Sequence, residues 1–165
     1  MKKISSAWQK WLKSFQVFFS CLWVGGALSL GLMLFFLKAD DGMQLYGITL
    51  SMKFVDDFII IPGAMGCLLT GILYSTLTNW GWFKHNWITV KWGINIFGVV
   101  LGTFWLGPWM NSLPPIAKAE GMAAISNAVY AHNLEMLYYF GTFQGCTLVF
   151  ALFISSLKPW KGKKY

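Results

Sequence analysis

The stretch Ser14 to Leu37, SFQVFFSCLWVGGALSLGLMLFFL, contains no charged residue. At about 1.5 Å per residue it is long enough to cross a bilayer core of about 30 Å. Lipid offers no water to satisfy backbone N–H and C=O groups, so a run of this kind must fold as a helix. Three further runs follow, over 58–78, 87–110 and 136–157. Asp56 and Asp57 open the second, and the aromatic, polar segment Asn79 to Asn86 closes it. The third carries Lys91 one turn inside its start and Trp92, Trp105 and Trp109 near its ends, where amphipathic rings prefer to lie. Pro108, Pro114 and Pro115 are expected to end it. Glu135 precedes the fourth run, and Lys158, Pro159 and Trp160 follow it.

The expectation is therefore an all-α integral membrane four-helix bundle, one transmembrane domain over 1–165. Composition agrees: with 56% hydrophobic and only 12% charged residues, the solvent of this chain must be largely lipid. The first run is too long for a signal-peptide core and is expected to stay in the membrane.

Charge gives the orientation. Lys2, Lys3, Lys10 and Lys13 precede the first run, and Lys158, Lys161, Lys163 and Lys164 follow the last. Lys84 and Lys91 bracket the second connection, whereas the first and third connections carry a net negative charge. By the positive-inside rule, both termini and the second connection lie in the cytoplasm, and the chain is expected in a bacterial inner membrane as a multi-pass protein. The formal charge of +7 is divided between flanks of apolar runs rather than gathered in a groove, which argues against nucleic acid. Every basic side chain is Lys, so no bidentate Arg clamp for phosphate is present.

Two segments read as helical without crossing. Ile4 to Lys13, with Trp8, Trp11 and Leu12 beside lysines, reads as a short interfacial helix continuous with the first span. Part of Gly42 to Asp57 and the stretch Gly121 to Tyr130 read as short outer helices. Small residues recur at helical spacing in Cys21, Gly25, Ser29, in Gly63, Cys67, Gly71, Ser75, in Gly98, Gly102 and in Gly141, Gly145. Such stripes allow close helix approach in lipid. Cys21, Cys67 and Cys146 share no CxxC or Cys-His spacing and read as packing residues.

Two polar layers hold the candidate chemistry. On the inner side, Lys91 and Asn95 share a helix face and Gln16 starts the first span, a set able to hold an anionic group. The competing reading is a lysine that snorkels to headgroups and amides that only fix packing. On the outer side, Asp56, Asp57, His132 and Glu135 offer metal ligands, although carboxylates at a helix start also favour the helix dipole. His85 and His132 are the two histidines, and the topology sets them on opposite faces, so they cannot share one haem. A single axial histidine or a partner chain is then needed. No Walker loop, nucleophile elbow, HExxH or dinucleotide fingerprint is present.

Several of these segments, in this order, resemble a known family. Lys13, Ser14, Phe15, Gln16 followed by Trp23, Val24, Gly25, Gly26 resembles a Lys-x-x-His and Trp-Phe-Ala-Gly pattern. Pro62 and Gly71 keep a matching separation, Trp87 to Lys91 resembles Trp-x-x-x-Lys, and Leu157 to Trp160 resembles a closing Lys-Pro-aromatic. The pattern is that of the CopD/HemJ-like superfamily of small membrane proteins, which includes CopD-like copper proteins and the HemJ type of protoporphyrinogen IX oxidase. An uncharacterised group of CopD-related membrane proteins looks closer still. The resemblance implies haem b or a porphyrin as the ligand, with Lys91 holding a carboxylate. It also implies a histidine where Gln16 stands, and an amide neither ligates iron strongly nor shuttles protons near neutral pH.

Three functions follow as expectations. The first is a binder of haem, porphyrin or another hydrophobic anion at Gln16, Lys91 and Asn95. The second is a non-catalytic subunit of a larger membrane complex, or a homo-oligomer. The third is copper handling at the outer face, with Met33, Met65 and Met136 as soft ligands.

Overall fold

The computed structural model describes residues 4–78 and 86–157, and among these every regular element is helical. Four helices are long and apolar enough to cross a membrane: α1 Ser6–Phe36, α2 Gly42–Leu77, α3 Asn86–Ser126 and α4 Ala128–Leu157. Their outer surface is apolar. Phe18, Leu28, Leu32, Leu69, Phe97 and Phe150 all lie exposed along it. A surface of this kind needs lipid or another apolar partner rather than water.

Local chemistry fixes the helix starts. Asp41 Oδ1 accepts from the Gln44 backbone N–H at 2.8 Å and starts α2. Asn127 Oδ1 accepts from Val129 and Tyr130 and starts α4 one residue after α3 ends. Gly121, at φ +59°, turns the end of α3 into a final tight 3₁₀ turn, a conformation that favours glycine. Gly42 packs against this corner, where an added methyl group would lie 2.7 Å from the Gly121 Cα. The start of α1 and the end of α2 come together at the opposite pole, which we call the terminal end: the Ile4 backbone N–H donates to the Leu77 carbonyl at 3.4 Å.

Spans two and three run far beyond the expected limits. With 36 and 41 residues, α2 and α3 reach roughly 50–60 Å at the helical rise, about twice the hydrocarbon core. The surplus forms a cap at the far end, in which Leu45 and Met52 of α2 pack with Met110, Leu113, Ala117 and Ala124 of α3 and Tyr130 of α4. The expected outer helix from Gly42 is thus the first part of α2, and of the segment Ile4 to Lys13 the residues from Ser6 on form the first turns of α1 without a break. Pro108, Pro114 and Pro115 do not end α3, which stays helical through them. Proline removes a donor and crowds the carbonyl four residues earlier, yet packing of the buried Leu113 and Pro114 in the cap holds the helix together.

The helices are not regular. Each of α2, α3 and α4 contains one five-residue π turn, at Asp56–Ile60, Gly102–Leu106 and Leu137–Gly141. In the first two, a proline stands at the same place just beyond the turn, Pro62 after Ile61 and Pro108 after Gly107. There the Ile61 N–H reaches back to Asp56 O and the Gly107 N–H to Gly102 O. Widening the ladder before the proline gives its ring room against the preceding turn.

The bundle is tightest between α1 and α2. A methyl group on Gly63 would lie 2.7 Å from the Trp23 backbone N, and one on Gly66 would collide with the Phe19 ring. The stripe Gly63, Cys67, Gly71, Ser75 is accordingly buried throughout. The stripe Cys21, Gly25, Ser29 is exposed, and nothing lies within 4 Å of methyl groups placed on Gly25, Gly141 or Gly145.

Candidate functional site

Among the described residues, one cavity lies towards the terminal end of the bundle and another towards the cap, and Trp23 lines both. Its indole is 3% exposed, and it rests on Gly98 of α3, where an added methyl group would come within 3.0 Å of the ring. The side chain is therefore a partition.

The terminal-end cavity has a volume of about 540 Å³. Gln16 from α1 and Lys91 and Asn95 from α3 all line it, so the three residues singled out from the sequence meet in one space. Gly71 of α2 keeps that space open, since a methyl group there would lie 3.5 Å from Gln16 Nε2 and 3.6 Å from Trp92 Cζ2. Trp92 is itself fixed by donating through Nε1 to Ser75 Oγ at 3.2 Å. Lys91 sits on the α3 face that packs on α4 and donates to Ser155 Oγ at 3.4 Å, longer than an ordinary N–H···O bond. An ammonium has three donors, and among the described residues no carboxylate pairs with this one. The side chain of Asn95, 6% exposed, and that of Gln16 make no hydrogen bond within the described residues.

Electrostatically the lining is one-sided. Lys13 and Lys91 contribute positive charge, and among the described residues no Asp or Glu lines the cavity. Amide donors, an ammonium and apolar walls from Trp23, Trp87, Trp92 and Leu148 are the groups that binding a lipophilic anion would call for. Among the described residues no imidazole and no thioether lines this space. Two thiols and a phenol do line it, those of Cys21, Cys67 and Tyr74, and the Cys67 Sγ is engaged with Ser20 Oγ at 3.3 Å. His85 lies outside the described residues.

The outer group is dispersed. Asp56 lines the cap-side cavity, while Asp57 pairs with Lys53 at 2.7 Å, and that lysine also donates to Asn111 Oδ1 at 2.6 Å. His132 and Glu135 are exposed on α4. Among the described residues no three His, Cys, Asp or Glu side chains gather as a metal site would need, so the set Asp56, Asp57, His132 and Glu135 is not brought together.

Sequence reasoning passed over Gln144 of α4, which is buried at 5% exposure between the cavities and lies over Gly98. It is the one amide between Met136 and Leu157, and an amide deep in such a span is in itself a pointer to a site. Ser155 was missed for the opposite reason, since serine near the end of a membrane helix carries no distinctive signal. Compared with family models, curated proteins and solved structures, the chain matches none.

Proposed function

We propose that this is a multi-pass inner-membrane protein, termini in the cytoplasm, that binds a lipophilic carboxylate between its helices near the cytoplasmic leaflet. The observation that supports the reading is the meeting of Gln16, Lys91 and Asn95 in one largely apolar cavity, where among the described residues no acidic group lies to neutralise the lysine. Lys91 holds the carboxylate as a charge-assisted bond, and the two amides donate to it or to polar atoms on the ligand body. A flat tetrapyrrole without iron fits the chemistry of this lining, in keeping with the resemblance to CopD/HemJ-like proteins. Oxidase chemistry of the HemJ type is not proposed, because Gln16 stands where that pattern has its histidine.

The test is titration of the detergent-purified chain with protoporphyrin IX, followed by its visible absorption and by tryptophan quenching. Saturable binding that weakens at least tenfold in Lys91→Met is the expected result. Absence of saturable binding of both protoporphyrin and oleate by the unaltered chain sinks the proposal.

A second reading is favoured by the exposed small residues Cys21, Gly25 and Ser29, since among the described residues nothing lies within 4 Å of a methyl group placed on Gly25. Close helix docking in lipid uses such surfaces, which makes a second copy or a partner subunit the occupant. Native mass measurement in lipid discs decides it: a dimer that Gly25→Leu converts to monomer supports this reading, and a monomer throughout removes self-association.

A further inference from the structure

The cap-side cavity, of about 390 Å³, has the opposite character to the one just described. All three π turns contribute to its wall, through Asp56 and Ile60, Gly102 and Leu106, and Leu137 and Gly141. π turns widen a helix locally and are frequent at binding sites. Here three of them lie around a single space.

Two acceptors in the wall lack donors. Gln144 Oε1 is fully buried and has no hydrogen-bond partner, and its residue lines the cavity. Leaving such an atom unpaired costs about 1–3 kcal/mol, so its retention calls for an explanation outside the chain. The carboxylate of Asp56 lines the same cavity and receives no side-chain or backbone hydrogen bond among the described residues. Its neighbour Lys53 is taken up by Asp57 and Asn111. Among the described residues no Lys or His lines the cavity, and the rest of the wall is chiefly apolar. The two acceptors are also apart along the bundle. Asp56 stands seven residues before Gly63, which abuts Trp23 at the level of Gln144 and Gly98, and seven residues of helix span about 10 Å.

We infer that this cavity is a second ligand site, taking a lipophilic ammonium with a further O–H or N–H donor along its body. The ammonium donates to Asp56, the apolar body lies against Ala64, Val99 and Leu106, and the second donor meets Gln144 Oε1. The inference is independent of the carboxylate site, because Gln144 and Asp56 do not line that cavity.

The experiment uses the full chain in lipid discs and 8-amino-1-octanol as probe, an eight-carbon chain with an amine at one end and a hydroxyl at the other. Calorimetry should show saturable binding, at least tenfold tighter than that of octylamine or 1,8-octanediol. Gln144→Leu should abolish the advantage over octylamine, and Asp56→Asn the advantage over the diol. Each variant is accepted only if its melting temperature lies within a few degrees of the original, and Gln144→Glu, which keeps an acceptor, is the second probe of the same atom. Equal binding of all three compounds, as expected of a cavity that holds water only, overturns the proposal. So does an unchanged preference in both Gln144→Leu and Asp56→Asn.

Discussion

The indole of Trp23 on α1 lies directly on Gly98 of α3, where an added methyl group would come 3.0 Å from the ring and 2.5 Å from Gln144 Nε2. One hydrogen atom in place of a side chain thus lets a large ring and an amide share the centre of the bundle. Gly98→Ala is expected to lower stability by about 1–3 kcal/mol, since the ring must shift and the site is already filled. Gly145→Ala, with open space around it, should leave the melting temperature of the purified chain unchanged or raise it. The pair separates packing inside the bundle from docking outside it, because a bulky residue at Gly145 disturbs only something bound to that face.

Trp23 divides a cavity of positive lining from one of negative lining, and its removal should join them. Trp23→Ala is expected to cost about 3–5 kcal/mol of stability. It should also expose Cys67, which is 2% exposed and packs in the same cluster. In a chain with Cys21 and Cys146 changed to Ser, the labelling rate of Cys67 by a small polar maleimide should rise at least tenfold. An unchanged rate would show that neighbouring side chains close the gap.

The π turns make a prediction about length. Each holds one residue more than a regular α-turn needs, so deletion of the exposed Phe104 from the turn Gly102–Leu106 should restore an α-helix and leave the bundle folded. Deletion of Phe97, in regular helix, rotates everything on one side of it by about 100° and should prevent folding. Yield and elution volume of the purified protein measure both, and the Phe104 deletion should also lose the aminooctanol site.

The four spans were legible because apolar length alone dictates a helix in lipid, and Gln16, Lys91 and Asn95 were legible because polar groups within such spans are conspicuous. What stayed hidden depends on packing. Pro114 looks like a terminator in sequence, yet its burial in the cap keeps α3 helical around it. The π turns left only the repeated offset of Pro62 and Pro108 as a trace, and Leu137–Gly141 has no proline at all. The small-residue stripes looked alike, but Gly63 meets backbone and Gly25 meets nothing, a difference set by the neighbours rather than by the residue. The acidic pair looked like one unit until Lys53 claimed Asp57 and left Asp56 to the cavity.

Lys91 and Asp56, on either side of the Trp23 partition, also make the bundle a small electrical dipole along its own long axis. A charge crossing the whole of an energised membrane responds with about 2.3 kcal/mol per 100 mV. With the terminal end inside, the resting voltage draws the ammonium inward and the carboxylate outward, in the sense in which the fold already holds them. It would act likewise on ligands of the two proposed sites, driving an anion from the Lys91 side and a cation from the Asp56 side towards the partition. Voltage would thus drive both occupants against the same tryptophan.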